Sequence, residues 1–320
     1  DGTKDISFNT GFNGFNGDVY STVIQIDGKI IVGGSFNSYQ RVAQNRLIRL
    51  NADGSKDISF DIGTGFDAEV LSLAIQTDGK IIVGGKFKTY QGISQNYLIR
   101  LNTDGSKDNN FNIGSGFGSI YSLGDIQTIV VQPNGKILVG GKFTFLNGKS
   151  QNYLVRLNTD GSNDTSFYAQ NGLNGSVYSI ALQKDGKILL GGSFTSYKLY
   201  KTDRLVRLNS DGSLDLTFTG NEFNIGYFLI SDKDSLGIRA LSLQSNGQIL
   251  AGGAFSSYKK DNASAFLIRL KGTETNLSNE QYDIENNPFS LWPNPVKNTL
   301  NINSLNETNY SVKIYDLLGR

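Results

Sequence analysis

The chain has 320 residues and a net charge of +1, a balance that gives no reason to expect a nucleic acid or another polyanion as partner. It contains no cysteine, histidine or methionine, which excludes disulfides, thiolate metal sites, cysteine nucleophiles and histidine general bases. Because no run of about 18 apolar residues occurs, the sequence predicts no membrane-spanning helix.

The chain opens on "DGTKDISF" (Asp1–Phe8), which matches "DGSKDISF" at Asp53–Phe60. A ten-residue phrase, "DGKIIVGGSF" at Asp27–Phe36, then returns with small changes. The other four copies begin at Asp78, Asn134, Asp185 and Asn246. Recurrence every 50 residues or so is typical of a repeat protein in which similar units stack on one another.

The fourth unit shows the pattern of one repeat. Strand-forming residues at Val177–Gln183 precede an Asp-Gly turn, and Lys187–Phe194 form the returning strand. Arg204–Asn209 alternate polar and apolar residues, a second Asp-Gly turn follows, and Ser213–Phe218 close the unit. The sequence therefore predicts an all-β fold, a β-propeller of about five four-stranded blades over residues 1–272. The Gly-Gly pair inside each strand indicates a bulge or a close approach of two backbones.

The two ends of the repeat region complement each other. The fifth unit stops at Phe266–Gly272 without the closing segment that the other units have, and Asp1–Phe8 is a copy of that segment. We therefore predict that Asp1–Phe8 pairs with the strand around Arg269 and closes a ring of five blades. The alternative is that the chain begins in the middle of a repeat and that further blades precede it.

Oxygen-bearing side chains alternate in "NADGSKD" (Asn51–Asp57), and the pattern recurs at the second Asp-Gly turn of three further units. Such spacing is similar to half of a calcium loop. We favour an Asp-Gly turn followed by an aspartate that accepts hydrogen bonds from the local backbone. The sequence thus predicts no metal site and no cofactor, with calcium as the less favoured alternative.

Two insertions interrupt the repeat, at Ser119–Ile126 and Asn224–Ser235, both in connections between blades. Insertions in repeat proteins often map to the binding face. The polar and aromatic residues in them predict a glycan or protein ligand, with these candidate contacts: Tyr121, Asp125, Tyr227, Phe228, Asp232 and Lys233. Tyr39, Tyr90, Tyr197 and Tyr258 also lie in loops, where we expect them to pack beneath their own loops.

The repeat stops at Thr273, and the polar, acidic residues 273–287 are typical of a linker. "WPNPVKNTLNI" and "VKIYDLLGR" in residues 288–320 closely resemble the start of the type A C-terminal sorting domain of the type IX secretion system of Bacteroidota. The matching residues are Pro293, Asn294, Pro295, Asp316, Gly319 and Arg320. The resemblance implies an immunoglobulin-like β-sandwich, incomplete here, that is recognised by the secretion machinery and directs the protein across the outer membrane.

The repeats themselves, "DGKIIVGGxF" followed by "RLIRLNxDGSxDxxF", resemble the delta-60 repeat family of bacterial β-propellers. That family carries no general activity to transfer. Together the two resemblances imply a secreted or cell-surface β-propeller, and we expect a non-catalytic binding or adhesion module. The alternatives are an extracellular polysaccharide hydrolase or lyase, with Asp125, Asp232 or Asp234 as its carboxylates, and a purely structural surface protein.

Overall fold

The computed structural model describes residues 2–3, 5–8, 14–120, 124–169, 171–220, 222–224, 236–259, 265–272, 289–292 and 301–304. The chain divides into two compact units, Asp1–Gly272 and Thr273–Arg320. Within the described residues the chain forms β-strands, turns and irregular segments and no helix. The fold is therefore all-β, as the repeat pattern predicts.

The five repeats form five blades. Blade one comprises β1 (Val19–Ile24), β2 (Ile30–Gly34), β3 (Ser38–Tyr39), β4 (Val42–Ala43) and β5 (Leu47–Leu50). Blade two comprises β6 (Val70–Ile75), β7 (Ile81–Gly85), β8 (Thr89–Tyr90), β9 (Ile93–Ser94) and β10 (Leu98–Leu101). Blade three comprises β11 (Phe117–Gly118), β12 (Ile126–Val131), β13 (Ile137–Gly141), β14 (Phe145–Leu146), β15 (Lys149–Ser150) and β16 (Leu154–Leu157).

Blade four comprises β17 (Val177–Leu182), β18 (Ile188–Gly192), β19 (Ser196–Tyr197), β20 (Tyr200–Lys201) and β21 (Leu205–Leu208). Blade five comprises β22 (Phe223–Asn224), β23 (Gly237–Leu243), β24 (Ile249–Ala254), β25 (Ser257–Tyr258) and β26 (Leu267–Leu270). In the second unit, β27 (Phe289–Trp292) pairs with β28 (Asn301–Ser304).

Each blade is built on an antiparallel three-stranded sheet, with the order β1-β2-β5 in blade one and the equivalent order in the others. The first two strands join through the predicted Asp-Gly turn, in which Gly28 has φ 82°. Because such a turn needs a residue with positive φ, the glycine fixes the hairpin locally. The predicted fourth strand is reduced to an isolated bridge, such as Leu50 to Lys56 in blade one, after which the chain turns at Asp57.

The two adjacent glycines of each blade have different partners. A Cβ on Gly84 would lie 2.7 Å from Cγ2 of Ile126 in the next blade. A Cβ on Gly85 would lie 2.1 Å from the main-chain oxygen of Glu69 in its own blade. The first glycine therefore leaves room for a side chain of the neighbouring blade, and the second leaves room for a backbone carbonyl. Both are close approaches, which the Gly-Gly pair in the sequence indicated.

The loops after the second strands form short hairpins, such as β8 and β9. The loop tyrosines Tyr39, Tyr90 and Tyr197 are buried. The hydroxyl of Tyr90 donates a hydrogen bond to the main-chain oxygen of Gly105 at 2.6 Å, and those of Tyr39 and Tyr197 bond the equivalent glycines. These three tyrosines therefore pack beneath their own loops, which confirms that interpretation, while Tyr258 is only half-buried.

A buried cluster of one aspartate and two cations recurs in four blades. In blade two, Asp108 Oδ2 accepts hydrogen bonds from Arg100 Nε at 2.7 Å and from Lys80 Nζ at 2.9 Å. Arg100 also lies over the ring of Phe111, 4.6 Å from its centroid, and donates to the main-chain oxygen of Thr159 in blade three. The equivalent clusters centre on Asp57, Asp164 and Asp215. The repeated arginines thus tie a blade to its neighbour and are part of the architecture.

The Asp-Gly turns of the "NADGSKD" type use their oxygens in local hydrogen bonds. Asp53 Oδ1 accepts from the Ser55 main-chain nitrogen at 2.9 Å and from Ser55 Oγ at 2.7 Å. These bonds to Ser55 hold the pKa of Asp53 below its ordinary value. In the part of the chain that the structure describes, no three acidic side chains come together in a way that would hold a metal ion. Local hydrogen bonds therefore already engage Oδ1 of Asp53, and the expectation of no metal site stays a prediction.

We expect that EDTA will leave the melting temperature of the protein unchanged. The physical reason is that the serine donors already satisfy the carboxylates that calcium would need as ligands. Differential scanning calorimetry with and without EDTA measures the effect. A drop of several degrees that added calcium restores would contradict the prediction.

The ring-closure prediction involves residues that the structure describes only in part. Asp1 and Lys4 lie outside the described residues. No ion pair joins Asp5 to Arg269 among the described residues, and both are exposed. Phe8 packs against the hydrophobic cluster of blade one, which includes Phe36 and Leu50. Closure of the fifth blade by Asp1–Phe8 stays a prediction.

Candidate binding rim

The first strands of consecutive blades contact each other along the chain from β1 to β23. Each begins at the sheet edge opposite its Asp-Gly turn, and each carries a bulge near that start, as between Ile126 and Thr128. Bulges redirect side chains and are common beside functional sites. We call this edge the rim. It is formed by the residues before the first strands and those after the Gly-Gly pairs.

Backbone hydrogen bonds hold the two parts of the rim together. The main-chain nitrogen of Lys86 donates to the Glu69 oxygen at 2.9 Å, and that of Lys142 donates to the Asp125 oxygen at 2.9 Å. The same bond joins Ser35 to Asp18 and Ser193 to Ser176. Each blade from one to four therefore presents two adjacent rim side chains at a fixed spacing.

Each of these four blades also has a cation near the rim, at one of two positions in the repeat. Blades two and three carry Lys86 and Lys142 directly after the Gly-Gly pair, with tyrosines Tyr97 and Tyr153 eleven residues further on. Blades one and four carry serines there, and Arg46 and Arg204 at the tyrosine position. Both arginines donate a hydrogen bond to the main-chain oxygen of the rim serine, Ser35 and Ser193 respectively. Each of these four blades therefore has one such cation, but its residue type, its position in the repeat and its neighbours differ.

The residue at the tyrosine or arginine position has a left-handed backbone in all five blades. Its φ is 69° at Arg46, 76° at Tyr97, 63° at Tyr153, 75° at Arg204 and 64° at Phe266. Bulky residues rarely adopt positive φ, and such strain often marks functional positions. Here the main-chain oxygen of this residue accepts a hydrogen bond from the second glycine, as Tyr97 does from Gly85 at 3.1 Å. The left-handed conformation therefore accompanies the same sheet hydrogen bond in all five blades.

Asp125 is the most enclosed charged residue of the rim. Its side chain is 4% exposed, and its Oδ1 is buried with no hydrogen-bond partner among the described residues. Burial raises the pKa of Asp125, against a hydrogen bond from Gln127 and the positive charges of Lys142 and Lys86, which act to lower it. A buried acceptor without a donor is uncommon in folded proteins because desolvation is costly. Among the described residues, Asp125 is the one carboxylate with such an oxygen.

Tyr97 is an aromatic residue near Asp125. It is buried, and burial raises the pKa of Tyr97, with a further contribution from the negative charges of Asp125 and Asp67. The hydroxyl is therefore neutral at physiological pH and able to donate. Between blades four and five, the guanidinium of Arg239 lies 4.0 Å from the ring centroid of Tyr178. The described part of the rim combines carboxylates, cations and tyrosines, the mixture that orients polar ligands.

Of the predicted ligand contacts, only Asp125 lies within the described residues, and it belongs to the rim. Tyr121, Tyr227, Phe228, Asp232 and Lys233 lie outside them, as does Asp234. The sequence reasoning missed Lys86, Lys142 and Tyr97. The signal that could have found them is variation at one repeat position, Ser-Lys-Lys-Ser-Ala after the Gly-Gly pairs.

Comparison with protein families identifies the repeats. The model described as "Domain of unknown function (DUF5122) beta-propeller" matches residues 25–60, 76–111, 132–167, 183–218 and 244–272, more than half of the chain. The chain belongs to this family. The family description names a fold and no activity. Membership of DUF5122 therefore identifies the repeats as a β-propeller, and any role of the rim has to be argued from its residues.

Solved structures similar to this DUF5122 propeller include a protein of unknown function from Bacteroides caccae, with 15% identity over 80% of this chain and 78% of that chain and a TM-score of 0.39. PorZ, a surface component of the type-IX secretion system of Porphyromonas gingivalis, shares 15% identity over 86% of this chain, with a TM-score of 0.47. This chain spans 34% of the length of PorZ. A gluconolactonase from Xanthomonas campestris shares 12% identity over 74% of this chain and 69% of its own, with a TM-score of 0.39. No curated protein matches the chain.

The C-terminal unit matches a second family model, the secretion system C-terminal sorting domain, over residues 290–320. The match confirms the resemblance to a sorting domain, and the DUF5122 propeller is therefore exported by the type IX route to the extracellular space or the cell surface. The motif residues Pro293, Asn294, Pro295, Asp316, Gly319 and Arg320 lie outside the described residues. In the part of the chain that the structure covers, no helix has the length and hydropathy to cross a membrane.

Proposed function

We propose that this DUF5122 propeller is a non-catalytic binding or adhesion module at the cell surface, and that its rim binds a polar ligand, a glycan or an extended peptide. The observation that carries the proposal is Asp125, a buried carboxylate whose Oδ1 has no donor among the described residues. Lys86 and Lys142 supply cations near it, and Tyr97 supplies an aromatic face. A sugar hydroxyl or a peptide N–H would satisfy the carboxylate.

The site differs from the architectural ion clusters in one respect. Asp57, Asp108, Asp164 and Asp215 each bond directly to an arginine and a lysine of their own blade. Asp125 forms no ion pair within 4.0 Å among the described residues. Since an unpaired buried carboxylate costs stability, an architectural role explains the four clusters and leaves Asp125 unexplained. Ligand binding supplies the reason for keeping it.

The rim prediction is tested by retention on an array of bacterial polysaccharides, host glycans and matrix proteins. We expect Asp125→Asn and Lys86→Ala each to lower the affinity for a retained probe at least about tenfold, the effect of losing one charged hydrogen bond. Lys184→Ala is the matched control, because Lys184 is exposed in the Asp-Gly turn of blade four, at the opposite sheet edge. Equal retention of all variants would place the ligand elsewhere.

The insertions extend the same proposal. Residues 119–126 include Asp125 and follow β11 in the chain, and residues 224–235 begin at the end of β22, the equivalent strand of blade five. We expect shortening of both insertions to the length found in the second repeat to leave the fold intact and to abolish retention on the array. Circular dichroism checks the fold. Undiminished binding by the shortened protein would exclude the insertions from the site.

The hydrolase or lyase alternative rests on the pKa of Asp125, which burial raises as in a general acid. A glycosidase also needs a second carboxylate at a separation of about 5–10 Å, and Asp232 and Asp234, the residues suggested for it, lie outside the described residues. Release of reducing ends from the retained polysaccharide measures this activity. Release that disappears in Asp125→Asn would favour the enzyme over the binding module.

A further inference from the structure

The lysines that follow the Gly-Gly pairs occur in two neighbouring blades. Lys86 in blade two and Lys142 in blade three have this position, whereas the other blades have serine or alanine there. Asp125 precedes the first strand of blade three, and its main-chain oxygen accepts a hydrogen bond from the Lys142 nitrogen. Both lysines lie near enough for their positive charge to act on the Asp125 carboxyl. We call Lys86, Asp125 and Lys142 the Lys-Asp-Lys group.

The Asp125 carboxylate keeps an unused acceptor in this group. Gln127 donates a hydrogen bond to the carboxylate, but Oδ1 is buried and has no partner in the part of the chain that the structure describes. A ligand that places a donor at Oδ1 would therefore remove the cost of burying an unpaired acceptor. An ammonium donor would be repelled by the charges of Lys86 and Lys142. The group thus favours a neutral donor such as a hydroxyl.

Lys86 holds its charge where a ligand can reach it. Its Nζ lies 3.7 Å from Glu69 Oε1, and the two side chains are 46% and 31% exposed. The lysine of an architectural cluster is bound more closely, as Lys80 is to Asp108 at 2.9 Å. An exposed ion pair contributes little to stability. Exchange of Glu69 for the carboxylate of a ligand is therefore inexpensive in free energy.

A rim residue of blade one has an unused donor. Arg46 occupies the repeat position of Tyr97 and donates a hydrogen bond to the main-chain oxygen of Ser35. Its Nε is buried and has no acceptor among the residues that the structure covers. The rim therefore contains a cation that lacks an acceptor and a carboxylate, Asp125, that lacks a donor. A polymer that carries both anionic groups and hydroxyls can satisfy both.

The backbone of the rim argues against an extended peptide as this ligand. Peptides of that kind bind mainly by adding a strand to an open sheet edge, through main-chain hydrogen bonds. At the Lys-Asp-Lys group the main-chain nitrogens of Lys86 and Lys142 already bond the oxygens of Glu69 and Asp125. The rim therefore offers side chains for recognition here, and the ligand that fits them carries its hydroxyls and its charge on its own rings.

We propose that the Lys-Asp-Lys group binds a uronic acid residue of an acidic polysaccharide. A ring hydroxyl would donate to Asp125 Oδ1, and the sugar carboxylate would lie near Lys86 and Lys142. Tyr97, which is close enough to Asp125 to be affected by its charge, is an aromatic neighbour for the sugar ring. The inference rests on the proposed binding function and adds the class of ligand. A neutral sugar would use Asp125 and leave the two lysines without a partner.

Isothermal titration calorimetry of the full 320-residue chain with polygalacturonate, alginate and hyaluronate tests the proposal. The polymer that binds is compared with the same polymer after its carboxylates have been reduced to primary alcohols. We expect the acidic form to bind at least about tenfold more tightly than the reduced form, the effect of one charged hydrogen bond. Binding of none of the three acidic polymers would overturn the inference. If another probe of the glycan and protein array is then retained, the proposed binding function stands.

Two variants assign the preference to the lysines. We expect Lys86→Gln and Lys142→Gln each to lower the affinity for the acidic polymer at least about tenfold and to leave the affinity for the reduced polymer unchanged. Lys184→Gln removes a lysine from an exposed turn at the opposite sheet edge and should bind both forms like the parent. Circular dichroism checks the fold of each variant. Equal affinity of the parent for the acidic and the reduced form would overturn the role of the lysines.

Two further polymers separate a uronic acid from other anions. Dextran sulfate carries sulfate on a neutral sugar, and polyglutamate carries carboxylates on a peptide. We expect both to bind at least about tenfold more weakly than the uronic acid polymer, because neither joins a carboxylate to a ring hydroxyl as the charged hydrogen bonds require. Binding of either polymer as tightly as the uronic acid polymer would overturn the assignment. Retention of the protein on no polymer and on no probe of the array would overturn the binding function as well.

Discussion

Replacing Asp108 by alanine is expected to lower the free energy of unfolding by about 3–5 kcal/mol, the cost of breaking a buried ion pair from one side. Asp108 is buried and bonds Arg100 at 2.7 Å and Lys80 at 2.9 Å. Its removal leaves the buried guanidinium of Arg100 without a counter-charge. The loss also affects the neighbouring blade, because Arg100 donates to Thr159 across the interface. Urea denaturation followed by circular dichroism measures the change.

Asp104→Ala is the matched control for this variant. Asp104 stands four residues earlier in the same turn and is exposed, and its carboxylate accepts hydrogen bonds from Ser106. Its replacement is expected to cost less than about 1 kcal/mol, the net contribution of an ordinary hydrogen bond. Equal losses in the two variants would contradict the assignment of the stabilising interaction to the buried cluster.

The effect of Asp108→Ala should also depend on pH. Burial on its own raises the pKa of Asp108, but the bonds from Lys80, Asn110 and Arg100 outweigh it and hold the pKa below its ordinary value. A lowered folded-state pKa stabilises the protein above the ordinary pKa of aspartate, near about 4, and the contribution is lost as the pH falls below it. The parent and the variant should therefore differ fully at pH 7 and converge towards pH 2.

Replacing Gly140 by alanine is expected to lower the free energy of unfolding by about 1–3 kcal/mol or more, the usual cost of overpacking a dense core. The added Cβ would lie 2.7 Å from Val177 Cγ1 and 2.8 Å from Thr128 Cγ2. Both neighbours are β-branched and stiff, so the interface between blades three and four must open to admit the methyl group. The midpoint of urea unfolding measures the effect.

Gly252→Ala is the control, since Gly252 has the same place in blade five and no atom within 3.7 Å of the added Cβ. In dilute protein this variant is expected to unfold at the midpoint of the parent or slightly above it, because alanine restricts the unfolded chain more than glycine does. A large loss of stability in Gly252→Ala would show that the glycine is needed within its own strand. It would contradict the explanation of the Gly140 effect by packing between blades.

The sequence determined the repeat, the strands and the turns of this protein. The Asp-Gly pair at Asp27 and Gly28 forms the predicted hairpin because its geometry depends on the φ of the glycine, a property of two residues. The alternating pattern of Arg204–Asn209 likewise gave the third strand. The closing segment at Ser213–Phe218 was harder to predict. Asp215 there bonds Arg207 and Lys187, and only the bridge from Leu208 to Leu214 continues the sheet.

Only the tertiary structure decided which residues meet at the rim and between the blades. The Gly-Gly pair in the sequence indicated a close approach of two backbones. The sequence did not show that Gly84 faces Ile126 of the next blade, because this contact joins residues more than forty positions apart. The sequence indicates Asp125 by its place in an insertion, whereas its burial near Lys86 and Lys142 depends on how the blades stack. Turns are fixed by local backbone energetics, whereas burial and pairing depend on which surfaces the neighbouring blades cover, and that is a property of the assembled fold.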